Sequence, residues 1–518
     1  MKAPKIRKPT RLEKQAYEAI TGGKPHYGVY HKSCFHLHTP VSHDYRLLET
    51  WSDKQYQEAT DEQLLALCIE RHVIMPMVTL DDIRLEGDFK GFSSKKEVMS
   101  FLLLADSIML AGIEIVLVAD HNTILGVDKL EKAIKWLHET KKAQIYPAVL
   151  LGIEISCADR NHVVGMFQNT QDNRKAITNW IEEHLIDVID GVFVTSIDAL
   201  DFIRSLGGIG YLAHINTSDI LKSGTFSGGF KKRLFDSITL KYIGLSDVEE
   251  LNRMETSIKQ YRKEPVKFLL DNDSHTIDSV DKNCFWIKGG KLSYSMVAEA
   301  LNDYNISIEF KLPACPRQYI KGMYVKEGVS SFLQNKDGGD FCIGFSNALN
   351  CLIGGRGTGK SSILEMLEYV LSQRCSNERM LAFICKHGTA WALYDLDGVE
   401  YLFEVSMPRP NYKDGNILEC FGGPRHINYR WRYIFDKKDV SYYAATHYLH
   451  ISKIVHEEKG WHIESVDQPE KIRDQFLDVK YSINELVNTA SGEEINHFIQ
   501  DTILKNGALA TLPFCSCI

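Results

Sequence analysis

"IEIVLVADH", residues 113–121, holds five consecutive apolar residues, Ile115 to Ala119, and then closes on Asp120 and His121. A short, near-continuous β-rich run of this kind suits a strand buried on both faces. The next segment, "VDKLEKAIKWLHETKK" (127–142), places Val127, Leu130, Ile134 and Leu137 on one helical stripe. Working outward, "YPAVLLGIE" (146–154), "GGIGYLAH" (207–214) and "PVKFLLDND" (265–273) read as further buried strands. Strands alternating with helical patterns from about 105 to 275 predict an α/β barrel or a doubly wound sheet. Residues 46–105 read as a mainly helical insertion.

Each of these strands ends in a residue able to bind a metal. They deliver Asp120 and His121, Glu154, His214, then Asp273 and His275. Earlier, "FHLHTPVSHDY" (35–45) offers His36 and His38 two apart, hence on one face if the segment is a strand. His43 or Asp44 could close the same loop. His162, in "DRNHVVGMF", opens the run after Glu154. In an α/β barrel the carboxyl ends of the strands converge on one face, where active sites are built. Imidazole mixed with carboxylate suits zinc, manganese or iron better than calcium or magnesium.

At 518 residues the chain should hold two or three domains. A hydrophobic content of 44% and a charged content of 25% are those of an ordinary globular protein. A net charge of −8 excludes a uniformly basic nucleic-acid binder but leaves room for a local basic groove. No apolar run approaches the ~18 residues of a membrane span, and the basic start "MKAPKIRKPTRLEKQ" lacks the apolar core of a secretory signal. The 12 cysteines are scattered without CxxC pairs, which points to reduced thiols in a cytoplasmic protein. The terminal "CSCI" lacks the aliphatic middle of a prenylation box.

The ordered motifs resemble those of the PHP (polymerase and histidinol phosphatase) family. They run His36–His38, Asp120–His121, Gly152–Glu154, His162, Ala213–His214 and Asp273–His275 across about residues 25–310. One departure is "AHIN" (213–216), where many members carry His-Pro. The resemblance implies a distorted (β/α)7 barrel with two or three divalent ions of zinc, manganese or iron. The implied ligands are His36, His38, Asp44, His121, Glu154, His162, His214, Asp273 and His275. The implied reaction is hydrolysis of a phosphate ester by a metal-activated water. Glu154 is suited to bridge two ions, Asp120 to act behind the ligands, and Arg160 to clamp phosphate.

"KLPACPRQY" (311–319) breaks the rhythm and predicts a linker over 311–320, between domains 1–310 and 321–518. Beyond it, "GGRGTGKSS" (354–362) fits the phosphate-loop pattern G-x-x-x-x-G-K-S. The apolar "ALNCLIG" (348–354) predicts a strand before it, and "SILEMLEYVL" a helix after it. Gly354, Gly355, Arg356, Gly357, Thr358 and Gly359 would supply backbone N–H groups to ATP phosphates. Lys360 would reach the β/γ-phosphates, with Ser361 on Mg²⁺ and Ser362 beside it. "TAWALYDLDGVEYLFEVSM" (389–407) predicts a hairpin turning at Asp397-Gly398.

The phosphate-loop region resembles the head of SMC/RecF-type ABC ATPases, and the whole chain resembles the TrlF-like fusions of a PHP domain to such a head. That family implies a Q-loop, a signature motif and a Walker B aspartate. No glutamine stands in "ATHYLHISKIVHEE" (445–458), and "SGEE" (491–494) only faintly matches a signature. The expectation is therefore an incomplete ATPase head, with a homodimer or a partner supplying the missing half. The leading functional expectation is a phosphoesterase acting on a nucleic acid or nucleotide. A small-monoester phosphatase gated by nucleotide and a non-enzymatic ATP-dependent scaffold are the alternatives.

Overall fold

The structure is a computed structural model. It describes residues 6–22, 28–141, 145–222, 224–313, 316–328, 330–347, 349–372, 380, 383–407, 449–457, 460–466 and 471–472. The chain divides into two compact units, Gly28–Pro313 and a second formed by Met1–Tyr27 with Ala314–Ile518.

In the first unit the apolar run read at 113–121 forms strand β2, Ile115–Val118, with all four side chains fully buried. It follows β1 (Val29–Leu37) and precedes β3 (Ala148–Ser156), β4 (His162–Phe167), β5 (Ile209–Leu212), β6 (Tyr242–Leu245), β7 (Lys267–Leu270), β8 (Phe285–Gly289) and β9 (Ile308–Glu309). The sheet order is β7-β6-β5-β4-β3-β2-β1-β8-β9. From β1 to β3 and from β5 to β7 the neighbours are parallel. β4 is antiparallel to both β3 and β5, so it runs against the rest.

The sheet curls until its β7 end meets β1 again. Beyond β7, Asn272 N donates to Phe35 O (3.0 Å), Ser274 N to His36 O (3.2 Å), and His38 N returns a bond to Ser274 O (3.0 Å). The carboxyl ends of six strands therefore share one rim with the amino end of the reversed β4.

Helices cover the outside. Gly126–Lys141 buries the expected stripe of Val127, Leu130, Ile134 and Leu137, and packs against Lys95–Leu110. The segment read as a helical insertion forms Asp53–Glu58 and Asp61–Glu70, each opened by a capping box, Ser52 with Gln55 and Thr60 with Gln63. Lys95–Leu110 then completes the crossover from β1 to the parallel β2.

The second unit is an antiparallel sheet. Its order is Ile6–Arg7, β15 (Gly460–Ser465), β14 (Leu449–Glu457), β13 (Val399–Val405), β12 (Ala390–Leu396), β10 (Gln318–Val325) and β11 (Phe341–Gly344). The helix Arg11–Gly22 packs Ala16, Tyr17 and Ile20 with Trp391, Leu393 and Leu402. A separate cluster joins Met366, Tyr369 and Val370 of the helix Lys360–Ser372 to Ala390, Ala392 and Phe403. The expected hairpin is present: β12 and β13 pair around Asp397 and Gly398, both at positive φ (53° and 78°), as a two-residue turn requires.

Two expectations are corrected here. The described residues 6–22, expected within domain 1–310, fall in the second unit, where Ile6 and Arg7 pair with Glu464 and Ile463. The strand expected over 348–354 does not form among the described residues, and Leu349 and Ile353 are 88% and 93% exposed. The described strands of this unit pair only antiparallel, so no parallel neighbour receives that run. "SGEE" and the C-terminal stretch lie outside the described residues. No helix among the described residues is long and apolar enough to cross a membrane.

Candidate metal centre

Strand ends build the centre because β-geometry continues briefly past each strand. Beyond β2, Glu154 N donates to Asp120 O (3.1 Å) and Asn122 N to Glu154 O (2.8 Å), which sets His121 beside Glu154. Gly152 makes this approach possible: a Cβ there would fall 2.4 Å from the Val118 carbonyl oxygen. Ser156 of β3 pairs with His162 of β4, so the reversed strand brings His162 in at its first residue. His36, His214 and Asp273 sit at positive φ (63°, 28° and 47°), a costly backbone for non-glycine residues and one found where side chains must converge.

Three overlapping donor sets result. They are His38, Asp44, His121 and His275; His36, His38, Glu154 and Asp273; and His121, Glu154 and His162, each with ligand atoms within 4.8 Å of one another. Glu154 is fully buried at the shared centre. Its Oε2 lies 3.0 Å from His36 Nε2, 3.3 Å from His38 Nε2 and 3.1 Å from His121 Nδ1. Its Oε1 lies 2.7 Å from His162 Nδ1 and 3.4 Å from His214 Nε2. Asp44 Oδ2 stands 2.7 Å from His275 Nε2 and 3.2 Å from His121 Nε2. His43 is exposed, its ring centroid 5.0 Å from that of His121, and it belongs to none of the three sets.

The outward nitrogens decide which way the lone pairs face. His36 Nδ1 donates to Asp271 Oδ1 (2.6 Å), so its Nε2 is bare. Ser42 Oγ donates to Asp44 Oδ1 (2.8 Å) and accepts from His38 Nδ1 (3.1 Å), which bares His38 Nε2. His275 Nδ1 donates to the Asp273 carbonyl (3.1 Å). Thr217 Oγ1 donates to the His214 carbonyl and accepts from His214 Nδ1 (3.3 Å). Two bare nitrogens, His36 Nε2 and His38 Nε2, then face each other at 3.1 Å.

Glu154 Oε2 sits among these nitrogens, buried and without a hydrogen-bond partner. Lone pairs held this close repel unless a cation lies between them. Ligand atoms about 2.0–2.1 Å from one zinc stand about 3.3 Å apart in a tetrahedron, the spacing seen here. The donor set thus fits divalent metal ions.

With no cation among them, the carboxylates draw protons onto these same nitrogens. Burial alone would deprotonate His38, yet Asp273 and Glu154 hold it at about 10. Burial likewise disfavours a charged His36, and Asp271 and Glu154 outweigh it. Burial pushes the Glu154 and Asp44 carboxyls up, but the surrounding histidines hold both far below the usual carboxylate range. The cluster seeks positive charge.

Asp120 lies outside the cluster. It is fully buried, accepts from Thr39 N (2.6 Å) and Thr39 Oγ1 (2.8 Å), and so pins the loop after β1. Burial raises its carboxyl to about 6. Arg160 is exposed on the β3–β4 turn at φ 58°. Asp271 escaped the sequence reading, although it anchors His36 and accepts from His214 N. Its place two residues before Asp273 in "DNDSH" repeats the same-face spacing that marked His36 and His38.

No family model matches the chain. A protein of Streptococcus pneumoniae serotype 4 (strain ATCC BAA-334 / TIGR4), described as uncharacterized, is 35% identical over 234 residues, 45% of this chain and 89% of that protein. The chain belongs to the same family as this pneumococcal protein. Among solved structures, Endonuclease Q in complex with a 27-mer duplex carrying an abasic lesion is 13% identical, with a TM-score of 0.29. That match covers 41% of this chain, which spans about half (53%) of the endonuclease. A two-domain protein from Bacteroides vulgatus ATCC 8482 containing a predicted PHP-like metal-dependent phosphoesterase is 10% identical, with a TM-score of 0.31, over 61% of this chain and 84% of that one. Both scores lie below 0.5, and neither carries a functional argument.

Proposed function

We propose that the first unit is a metal-dependent phosphoesterase of the PHP type, its curled sheet being that family's distorted (β/α)7 barrel. The observation carrying this reading is the buried, unbonded Glu154 Oε2 ringed by bare imidazole nitrogens. His36, His38, Asp44, His121, Glu154, His162, His214, Asp273 and His275 would hold two or three ions of zinc, manganese or iron. Bound divalent ions supply charge neutralisation at phosphoryl oxygens and activation of water for in-line attack.

The chain's own residues hold the geometry. Glu154 presents one carboxylate oxygen to each side of the cluster. Asp271, Ser42 and Thr217 lock the tautomers. Arg160, exposed beside His162, is proposed to receive the phosphate, and Asp120 to brace the loop that carries His38.

The substrate is proposed to be nucleic acid or a nucleotide. The loop 354–362 is proposed to take ATP with Mg²⁺: Gly357 and Gly359 hold φ of 82° and 89°, and Lys360 opens a helix. Exposed Leu349 and Ile353 beside the loop favour a homodimer or a partner completing this unit. Free cysteines at seven described positions favour a reducing, cytoplasmic setting.

The test is to quantify bound metal, then assay single-stranded DNA, RNA and small phosphate esters with Mn²⁺, comparing wild type with His36→Ala/His38→Ala. Loss of activity and metal together is expected. Hydrolysis untouched by that double change refutes the site, and activity confined to small monoesters refutes the nucleic-acid substrate. Binding of a fluorescent ATP analogue that survives Lys360→Ala and Ser361→Ala refutes the nucleotide site.

A further inference from the structure

The reversal of β4 sends the chain back to the rim that carries the donor cluster. β4 ends at Phe167 on the opposite face of the barrel, and the helix Gln171–His184 follows. At about 1.5 Å per residue its 14 residues rise about 21 Å, as far as the six residues of β4 run. On the rim, Leu185–Asp187 and Gly191–Val192 pair as a small antiparallel hairpin, before the helix Ser196–Ser205 leads down to β5. The hairpin is rooted on the β3–β4 turn. Ala158 N donates to Val194 O (2.9 Å), and a Cβ on Gly191 would fall 2.2 Å from the Ser156 carbonyl oxygen. Ser156 Oγ in turn lies 3.2 Å from Nδ1 of His121.

This hairpin carries its apolar side chains in the open. Ile186, Val188, Ile189 and Phe193 are 57%, 58%, 77% and 59% exposed, and Leu125, four residues after His121, is 65% exposed. Large apolar residues gathered beside a polar site mark an interaction surface. The charges select the partner. Asp187 Oδ1 accepts from Ile189 N (2.8 Å) and Asp190 N (2.7 Å), which folds the turn and keeps a carboxylate there. Asp187 and Asp190 repel a phosphate backbone, whereas Arg160, two residues after Ala158, attracts one. A strand whose phosphates follow Arg160 and the metal cluster can lay only its uncharged bases on the hairpin. A second copy of this chain is a poorer fit. Four such side chains present on the order of a few hundred Å², below the roughly 800 Å² that each partner brings to a stable interface.

We infer that the hairpin 185–193 is a base-docking finger for single-stranded nucleic acid, holding one or two unstacked bases beside the phosphate that meets the metal cluster. The inference rests on the nucleic-acid reading of the site and deepens it. Every base has an apolar face, so contact through Ile186, Val188, Ile189 and Phe193 tolerates any sequence. A paired base keeps that face inside the duplex, and exposing it costs a few kcal/mol per step. The finger therefore favours an unpaired strand over a duplex.

The experiment compares kcat/KM of the metal-loaded full chain on a single-stranded oligonucleotide with that on bis(p-nitrophenyl) phosphate, which is too small to reach the hairpin. In Val188→Ser/Ile189→Ser the ratio of the two should fall about tenfold or more, the worth of one or two base contacts. Ile189→Trp reports the contact directly: its emission should be quenched by the oligonucleotide and left unchanged by inorganic phosphate. A ratio within twofold of wild type overturns the inference, and so does a tryptophan indifferent to the oligonucleotide. A wild-type dimer that Val188→Ser/Ile189→Ser dissociates on gel filtration assigns the hairpin to a second copy and overturns it too. Wild type that hydrolyses the small ester but never the oligonucleotide overturns the nucleic-acid reading itself. Wild type that hydrolyses both, with the ratio unmoved in the double variant, removes only the finger.

Discussion

Asp271→Asn tests whether the imidazole orientation around Glu154 is set from behind. Asp271 accepts from three donors, His36 Nδ1, His214 N and Tyr211 Oη. An asparagine has the same shape but only one acceptor oxygen, so its NH₂ must face either His36 or His214. Facing His36, it forces the other tautomer and puts a proton on the nitrogen that should meet metal. Facing His214, it opposes a buried backbone N–H. Partners of this kind are worth about 10–100-fold in metal affinity, or roughly 1.4–2.8 kcal/mol. The assay is competitive metal titration against a chromogenic chelator, run on Asp271→Asn, His36→Ala and the double variant. If Asp271 works through His36, adding Asp271→Asn to His36→Ala should cost only the share that passes through His214, about threefold or less. Fully additive losses, or a single variant within twofold of wild type, would show that the pair does not act as one unit.

Gly152→Ala should be felt in both stability and metal, because the new Cβ meets the Val118 carbonyl at 2.4 Å and Leu117 Cδ1 at 2.6 Å. Overpacking of about 1–3 kcal/mol lowers Tm by about 2–4 °C per kcal/mol, read by calorimetry alongside metal content. In the second unit Glu400 accepts from Tyr17 Oη (2.8 Å) and Lys321 Nζ (2.6 Å), with His456 Nε2 also at 2.8 Å. Burial raises its carboxyl, but Lys321, His456 and Tyr17 outweigh it and leave it below 4.5. A depressed folded-state value means stability that is present above 4.5 and lost as pH falls through the folded value. Glu400→Gln should flatten that acid-side loss and cost about 2 kcal/mol at pH 7, measured by urea denaturation at a series of pH values. A fragment of residues 28–313 holds all nine strands of the curled sheet and every donor of the cluster. It should unfold cooperatively and retain the metal stoichiometry of the full chain. Failure on either count would tie the barrel's stability to the second unit.

Elements whose stability is local or doubly buried were legible. Ile115–Val118 announced itself because a strand covered on both faces has no polar alternation to disguise it, and Gly126–Lys141 because its stripe repeats every turn. The reversal of β4 was missed, although the signal is plain: only five residues separate Ser156 from His162, too few for a parallel crossover. That reversal is why His162 reaches the rim from the start of a strand instead of its end. The strand expected over 348–354 failed for the opposite reason. Apolar content proposes a strand, but only a neighbour of the right direction accepts one, and the described sheet of that unit pairs antiparallel throughout.

At the centre, the sequence exposed groups that carry a lone pair inward and concealed those that aim it. His36, His38, His121, Glu154, His214, Asp273 and His275 stand at strand ends, where ligating residue types are conspicuous against apolar runs. Asp271, Ser42 and Thr217 look like ordinary polar residues until folding shows what they touch. Their roles follow from one condition. Six imidazoles and three carboxylates can converge on a volume a few ångströms across only if their protons are turned outward and held there. A variant that leaves every donor in place but frees one tautomer should therefore weaken metal binding nearly as much as deleting a donor.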